Sequence, residues 1–436
     1  MTVDQILTLL VLGAVVLVLI FDRLRADVAA LTGAAALLMA GVVRPVDLQG
    51  AFASPAIVAL ASLFVIAYAL ELSGLLDRAI ERGTAMCRRL GAKGIWLLLA
   101  MIGCVSCVLN STPIVVLGAP VIRDVANALG LSPKRFLMPL AYVTVLSGCC
   151  TLIGTSTNLL VDDMARVAGQ PRFGMFEITP VGLAVALSGG LYLFLFSNRL
   201  LGGVHADDRR DGDPAPPTPS HIASAQVGDA SLFAERRPLQ PVKALTAFAV
   251  FAGAVALAAL NVAPIAATAF GGAVLLILLR VISADQAYSG LKPEILMLIA
   301  GMVVIGIAME QSGLAAAASG ILIAGVDGLS PLVALIVLYL VTMVLTELLS
   351  NATVAVLVTP VAVALAESLG VSPRPFLVAV MMAASAAFAT PFGYQTNVLV
   401  YQMAGYRYMD FVRVGLPLNL ITCAAAIAAI SMFFPF

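Results

Sequence analysis

Two short polar clusters, each set inside an apolar run, constrain this fold more than any other feature of the sequence. The first occupies residues 109–113, with the sequence LNSTP, and the second occupies residues 349–353, with the sequence LSNAT. Lipid offers no hydrogen-bonding partner to such groups, so they have to face protein, water or a ligand. A polar, helix-breaking segment that occurs once in each half of a membrane protein predicts a transporter with its substrate between two repeats.

The composition predicts an all-α polytopic membrane protein. Hydrophobic residues make up 61% of the chain and charged residues 11%, which lies outside the range of soluble domains. No basic stripe suits nucleic acid, and no catalytic set converges on the apolar segments, so neither a nucleic-acid-binding protein nor an enzyme is indicated. We expect about ten spans, each of roughly 20 residues. They lie near residues 5–21, 28–42, 54–75, 136–165, 176–197, 243–261, 264–280, 293–312, 375–403 and 414–433.

Each polar cluster divides a paired apolar stretch whose arms are short for two full crossings. We therefore predict re-entrant hairpins over residues 95–130 and 330–370. Beyond the hairpins, ordered motifs recur in the two halves, which indicates an internal duplication. The matches are TNLLV at 157–161 with TNVLV at 396–400, FL at 136–137 with FL at 376–377, and VGL at 181–183 with VGL at 414–416.

The duplication divides the chain into a first repeat over 1–202, a linker over 203–240 and a second repeat over 241–436. Five spans per repeat is an odd number, so the repeats are expected to insert with opposite orientation. The segment 78–93 carries five basic residues and its counterpart 314–328 carries none, which places the first of these in the cytoplasm. The linker, rich in Asp, Pro, Ser and Ala, is expected to be disordered and cytoplasmic. The expected location is the inner (plasma) membrane.

The two hairpin tips and a broken helix after each hairpin supply the chemistry. At a tip the second arm begins a helix, whose free N–H groups and dipole favour an anion. The breaks are TLIGTSTN at 151–158 and TPFGYQTN at 390–397, where Gly, Pro and hydroxyl residues leave carbonyl oxygens free. Such oxygens, facing a tip, would complete a cage for a hard cation such as Na⁺.

Glu347 is the ionisable residue closest to a tip, three positions before Ser350. An intramembrane acid is a functional candidate, here as a cation partner or a proton carrier. A paired structural residue is the alternative. The residue equivalent to Glu347 in the first half is Cys107, so a role as cation partner or proton carrier would belong to the second half only.

The motifs Ser350-Asn351, IGT at 153–155, Thr157-Asn158, ATPFGYQTN at 389–397 and the run 406–420 resemble those of the divalent anion:sodium symporters. This family contains dicarboxylate, citrate and sulfate carriers. The chain is most similar to bacterial permeases that carry TrkA C-terminal-type domains between their halves, which the short linker replaces here. The resemblance implies a homodimer and a Ser-Asn-Thr-like motif at each tip that contacts substrate and sodium.

Carried over residue by residue, the resemblance completes two sets of candidate ligands. The substrate set is Asn110, Ser111, Thr112, Ser350, Asn351, Ala352, Thr353, Thr396 and Asn397. The cation set is Asn110, Ser111, Gly154, Thr155, Thr157, Asn158, Ser350, Asn351, Thr390, Gly393 and Glu347. The chain departs from the family pattern at Ser111, the usual asparagine position, and at Ala352, where a polar residue is lost. Both changes favour a small oxyanion such as sulfate beside the dicarboxylates.

The expected function is secondary active uptake of a small divalent anion, coupled to Na⁺, by alternating access and without a cofactor. Within transport, the alternative is a cation/proton antiporter or an oxyanion exporter of the same superfamily, with Glu347 as proton carrier. From another class, the alternative is a channel or a transport-inactive membrane sensor.

Overall fold

The structure, a computed structural model, describes the chain in nine pieces, and every regular element in them is a helix. The described residues are 2–20, 24–75, 78, 90–201, 238–260, 262–314, 317, 330–391 and 393–436. Most of the predicted linker, residues 203–237, lies outside them, as do most of the segments 76–89 and 315–329. An all-α fold, as the composition predicts, is confirmed for the described chain.

The first half contributes nine of the described helices. They are α1 Val3–Ile20, α2 Ala26–Met39, α3 Pro45–Phe52, α4 Pro55–Leu72, α5 Ala92–Ser106, α6 Ser111–Ala128, α7 Lys134–Gly148, α8 Ser156–Val167 and α9 Thr179–Leu201. The second half contributes nine more, in the same order of long and short elements. They are α10 Pro241–Ala259, α11 Ile265–Leu278, α12 Ala284–Gly290, α13 Pro293–Gln311, α14 Pro331–Leu348, α15 Asn351–Ser368, α16 Arg374–Ala384, α17 Gln395–Ala404 and α18 Tyr408–Phe433.

Local sequence explains where many of these helices begin. Proline stands at the first position of α3, α10, α13 and α14. A backbone N–H group at this position has no intrahelical partner, so proline, which has no N–H group, is well suited to it. Helix α12 begins at a capping box, in which the Ser283 hydroxyl accepts from Gln286 N at 3.1 Å and Gln286 Oε1 accepts from Ser283 N at 2.9 Å.

Two of the expected spans are interrupted at the predicted breaks. The expected span 136–165 is divided into α7, which ends at Gly148, and α8, which begins at Ser156. The expected span 375–403 is divided into α16, which ends at Ala384, and α17, which begins at Gln395. The broken-helix interpretation of both motifs is therefore confirmed, and the first break will be called break 1 (149–155) and the second break 2 (385–394).

The two halves pack against each other by exchanging equivalent contacts. Helix α2 packs on α13, and their counterparts α11 and α4 pack on each other. The same reciprocity joins α8 with α15 and α17 with α6, while the two final helices α9 and α18 lie side by side. Each half therefore completes the core of the other, in the way expected of a duplicated fold.

Several described helices are suited to a bilayer. Five helical stretches are long and apolar enough to cross one, namely Pro45–Leu72, Thr179–Ser197, Pro241–Ala259, Asn351–Ser368 and Tyr408–Phe433. Shorter apolar helices, including α5 and α14, accompany them. The polytopic membrane fold follows, whereas the turning back of the α5–α6 and α14–α15 pairs inside the bilayer remains a prediction.

Two sets of polar contacts, which will be called clamps, also tie each half to the other. Arg374, at the start of α16, forms a bidentate pair with Glu177, from Nε to Oε1 at 2.9 Å and from Nη2 to Oε2 at 2.7 Å. Its guanidinium lies 4.2 Å from the centre of the Phe173 ring. On the equivalent element of the first half, the Tyr406 hydroxyl donates to Lys134 O and accepts from Met138 N at 2.8 Å. Both clamps join the start of the helix after a hairpin to the loop that follows the broken helix of the other half.

Replacing Arg374 with alanine is expected to destabilise the protein by about 2 kcal/mol, because a bidentate pair and two further bonds to the carbonyls of Pro171 and Arg172 are lost. The matched control is R44A, which removes the pair that Arg44 makes with Asp47 only three residues away. That control is expected to cost less than ~1 kcal/mol, since local pairs on exposed side chains contribute little. Denaturation curves of both variants in the same detergent give the comparison, and equal costs would contradict the clamp.

Candidate functional site

The first hairpin tip, residues 107–112, will be called tip 1, and it is held to α7 by two hydroxyl groups. Ser106 ends α5 and Ser111 begins α6, and their hydroxyl oxygens lie 3.1 Å apart. Each hydroxyl is also within hydrogen-bonding distance of the Thr144 carbonyl oxygen, at 2.8 Å from Ser106 and 3.0 Å from Ser111. Ser111 is fully buried, so its side chain faces the protein interior. Asn110 lies in the turn between the two helices, and the structure describes the backbone of Thr112 but not its side chain.

The second hairpin tip, residues 347–352, will be called tip 2, and it repeats this arrangement with different side chains. The Thr346 hydroxyl donates to Ala384 O at 2.7 Å and lies 3.0 Å from Asn351 Oδ1. Ser350 caps α15, because its hydroxyl accepts from Thr353 N at 3.2 Å and lies 2.7 Å from the Thr353 hydroxyl. Sequence reasoning did not select Ser106 and Thr346. The sequence did contain a signal for both residues. Ser106 lies five residues before Ser111, and Thr346 lies five residues before the equivalent Asn351.

The two breaks share one hydrogen-bonding pattern. In break 1, the Thr151 hydroxyl accepts from Gly154 N at 3.1 Å, and Asn158 Nδ2 donates to Thr151 O at 3.0 Å. In break 2, the Thr390 hydroxyl accepts from Gly393 N at 3.1 Å. Asn397 Nδ2 donates to the carbonyls of Ala387, at 2.9 Å, and Thr390, at 3.3 Å. The predicted residues therefore build two equivalent turns, each braced by an asparagine at the start of the next helix.

Tip 1 and break 1 are in direct contact, as the cation-cage hypothesis requires. The Thr151 hydroxyl donates to Cys107 O. A side chain at Gly154 would place Cβ 2.7 Å from the same carbonyl and 2.4 Å from Gly148 O, so only glycine fits there. In the second half, a Cβ at Gly393 would lie 3.2 Å from Glu347 Oε2, so the Glu347 side chain lies against break 2.

Break 2 also reaches residues of the first half. The Tyr394 side chain, at the end of break 2, lies next to Thr155 and Ser111, and the helix that follows, α17, packs on α6. The Tyr142 hydroxyl, on α7, donates to Phe388 O at 2.7 Å. Tip 1, break 1 and break 2 thus meet in one region, and residues predicted separately in the two halves are brought together there.

Glu347 accepts hydrogen bonds on both carboxylate oxygens. Oε1 accepts from Ala389 N and Asn419 Nδ2, each at 2.8 Å. Oε2 accepts from Thr390 N at 2.9 Å and from the Thr390 hydroxyl at 2.8 Å. Three of these four donors are N–H groups, which cannot accept a proton from the acid, so the arrangement suits the ionised form.

Several buried polar atoms of the site lack a hydrogen-bonding partner among the described residues. They are Oδ1 of Asn158, Oδ1 of Asn397, Nδ2 of Asn351 and the hydroxyl oxygen of Thr396. Buried polar groups are rarely left unpaired in a folded protein, so such atoms point to a bound ligand or water. The amide oxygens suit a cation and the Asn351 amide N–H groups suit an anion. Within the described part of the chain, no group of three or more His, Cys, Asp or Glu is arranged to hold a metal ion.

The remaining predicted residues contribute in different ways. Thr155 caps α8, with its hydroxyl accepting from Thr157 N at 3.4 Å. Thr157 and Thr353 are buried, and Ala352, half-buried beside Asn351, offers no polar side-chain atom. Phe392 and the Gln395 side chain lie outside the described atoms of break 2 and α17.

Comparison with known proteins agrees with this geometry. The citrate transporter family matches residues 16–367 and 348–436. An uncharacterized transporter of Synechocystis is 25% identical over 587 residues, covering 96% of this chain and 95% of that protein. The sodium/sulfate cotransporter 2 of Chlamydomonas reinhardtii is 35% identical over 147 residues, covering 34% of this chain and 17% of that protein. The crystal structure of the YdaH transporter of Alcanivorax borkumensis shares the fold, with a TM-score of 0.54 at 15% identity over 88% of this chain and 86% of that chain.

The match to the Synechocystis protein also bears on the linker. Its aligned length of 587 residues exceeds the 436 residues of this chain, so that relative carries additional residues inside the matched region.

Proposed function

Because the chain belongs to the citrate transporter family, and is thus a secondary anion transporter of the plasma membrane and not an enzyme, we propose that it takes up a small divalent anion together with Na⁺. Transport proceeds by alternating access and needs no cofactor. The observation that carries the proposal is the set of unpartnered buried atoms at the breaks and the second tip, namely the amide oxygens of Asn158 and Asn397 and the amide nitrogen of Asn351.

Anion binding is supported by the two tips. Helices α6 and α15 both begin at a tip, at Ser111 and Asn351, so their free N–H groups and positive dipole ends point to the place where the hairpins break. The Asn351 amide adds a donor to this site. Neither tip contains Lys or Arg, so the anion is held by dipoles, amide donors and co-bound cations.

Cation binding is supported by the pairing of each tip with its break. Carbonyl oxygens of the breaks, hydroxyls of Ser111 and Ser350, and the amide oxygens of Asn158 and Asn397 are hard ligands suited to Na⁺. The ionised Glu347 contributes a negative charge next to Thr390 and Gly393 in the second half. The similarity to a Chlamydomonas protein named as a sodium/sulfate cotransporter agrees with this choice of ions.

The smaller side chains at the tips favour sulfate over the dicarboxylates. Ser111 is shorter than the asparagine that the family pattern places there, and Ala352 offers no donor. The reciprocal packing of the halves further supports inverted repeats with re-entrant hairpins that open to opposite faces. A homodimer, with the first helices of each half as its scaffold, completes the proposed assembly.

Uptake into proteoliposomes tests the proposal. Radiolabelled sulfate and C4-dicarboxylates are offered with an inward Na⁺ gradient, a K⁺ gradient or none. We expect saturable uptake of at least one anion that requires the Na⁺ gradient and shows counterflow. Flux without counterflow would indicate a channel, binding without flux would indicate a sensor, and flux driven by a proton gradient alone would indicate the antiporter or exporter; each of these results contradicts the proposal.

A further inference from the structure

Two positions that differ between the half-sites are considered together, because in the second half the residues at these positions are hydrogen-bonded to each other. Glu347 in the second half corresponds to Cys107 in the first, and Asn419 corresponds to Ala186, four residues after Gly415 and Gly182 respectively. In the second half these residues are joined, because Asn419 Nδ2 donates to Glu347 Oε1 at 2.8 Å. A polar pair thus occupies one half, and a thiol and a methyl group occupy the equivalent places of the other.

The polar pair braces break 2 from three directions. Glu347 lies on α14, its N–H donors Ala389 and Thr390 lie in the break, and Asn419 lies on α18. The Thr390 hydroxyl, which donates to Glu347, also accepts from Gly393 N at 3.1 Å, so the brace extends along the whole turn. With two donors on each carboxylate oxygen, the lone pairs of Glu347 are occupied by protein groups.

Break 1 has a weaker brace. Among the described residues, its contacts are all between neutral groups, which form weaker hydrogen bonds than a carboxylate does. The Thr151 hydroxyl donates to Cys107 O, and the Thr179 hydroxyl at the start of α9 donates to Cys150 O at 2.7 Å. Leu152 N donates to Met175 O at 3.0 Å. The Cys107 side chain meets the Cys150 thiol, and thiols are weak donors and acceptors. Helix α9 offers no polar group at Ala186. A turn held by neutral groups alone is more readily reshaped by a cation that binds its carbonyl oxygens.

We propose that Glu347, oriented by Asn419, is a positioning residue that holds break 2 in its binding conformation before any cation arrives, whereas break 1, held by neutral groups alone, depends more on the bound cation for its stability. This inference rests on the proposed function for the identity of the cation. Glu347 then acts through the break it shapes, and neither carries a proton nor ligates the cation directly. The two halves of the site load differently although their folds are equivalent.

Amide hydrogen exchange of the purified protein tests the inference with a readout that does not require transport. In the wild type without Na⁺, Ala389 and Thr390 are expected to exchange more slowly than Leu152 and Gly154, whose N–H groups are bound to neutral acceptors. Adding Na⁺ is expected to slow exchange in break 1 by at least ~10-fold and to leave break 2 unchanged. In E347Q, which places an amide donor opposite N–H donors, break 2 is expected to exchange at least ~10-fold faster without Na⁺ and to regain protection with it.

Uptake measurements provide the second readout. E347Q and, to a smaller extent, N419A are expected to raise the Na⁺ concentration for half-maximal uptake by about 10-fold, with little change in maximal rate once Na⁺ saturates. The matched control is E367Q, since Glu367 lies on the neighbouring helix α15 and contacts Gln170 at 3.3 Å, away from both breaks. The double variant C107E/A186N transfers the brace and is expected to protect break 1 without Na⁺.

Three results would overturn the inference. They are equal protection of the two breaks in Na⁺-free wild type, an E347Q variant with unchanged exchange in break 2, and loss of a pH-dependent flux in E347Q, which would make Glu347 the proton carrier. If the wild type shows no Na⁺-dependent uptake, the proposed function fails, and the Na⁺-free comparison of wild type with E347Q still decides whether Glu347 braces break 2.

Discussion

Alanine at Gly415 is expected to prevent the accumulation of folded protein. A Cβ at this position of α18 would lie 1.8 Å from Phe388 O and 2.2 Å from the carbonyl carbon, both backbone atoms of break 2. Neither atom can rotate away as a side chain does, so α18 and break 2 would have to separate. We expect a cost of more than about 4 kcal/mol, the size typical of severe overpacking at a buried backbone contact.

The equivalent contact in the first half allows a matched pair of variants. A Cβ at Gly182 of α9 would lie 2.5 Å from Cys149 O and from Cys150 Cα, whereas a Cβ at Gly190 of the same helix meets nothing within 4 Å. G182A is expected to behave like G415A, and G190A is expected to match or slightly exceed the wild type, because alanine favours helix. Monodisperse yield in detergent and thermal denaturation measure all three. Normal stability of G415A would show that α18 does not approach break 2 so closely.

The Asn351→Asp variant is expected to lower kcat/KM for the anion by at least ~100-fold while the protein folds normally. Asn351 Oδ1 lies 3.0 Å from the Thr346 hydroxyl, and aspartate keeps an oxygen of the same size at that place. The substitution replaces the unpartnered Nδ2 with a negatively charged oxygen at the N-terminus of α15. An anion at the tip loses a donor and meets a like charge, so the KM for anion should rise steeply.

The response to Na⁺ separates this effect from general damage. Since the added charge attracts cations, the Na⁺ concentration for half-maximal uptake should stay level or fall in N351D. The control T359V removes a hydroxyl from the same helix, where Thr359 is buried and donates only to Ala355 O. It is expected to transport at close to the wild-type rate. A parallel loss of anion and Na⁺ affinity in N351D would argue against anion binding at this tip.

The sequence was sufficient to predict the class of fold and the places where its helices break. Apolar composition dictates helices in a bilayer, and the recurrence of TN after a glycine-containing segment marks both breaks because glycine and hydroxyl residues disfavour a continuous helix. The equivalence of Asn158 and Asn397 was also visible, and the structure gives both the same bond to a break carbonyl.

Contacts between segments far apart in sequence could not be predicted in the same way. Nothing in the local sequence indicates that Arg374 pairs with Glu177, that Tyr394 reaches Ser111, or that Asn419 holds Glu347. These depend on how the halves pack, which is set by many weak apolar contacts at once. Glu347 illustrates the difference: its position next to the tip was evident, but its four donors come from segments 42 to 72 residues away in sequence.

The exchange of contacts between halves has a consequence for biogenesis. Helices α2 and α4 find their partners α13 and α11 only in the second half, and α8 finds α15 there. When only the first half has been synthesised, the faces of α2, α4 and α8 that pack on the second half therefore have no protein partner. Those faces remain against lipid or an insertion chaperone until α15 is synthesised, so assembly of this carrier is a late event that follows insertion of most of the chain.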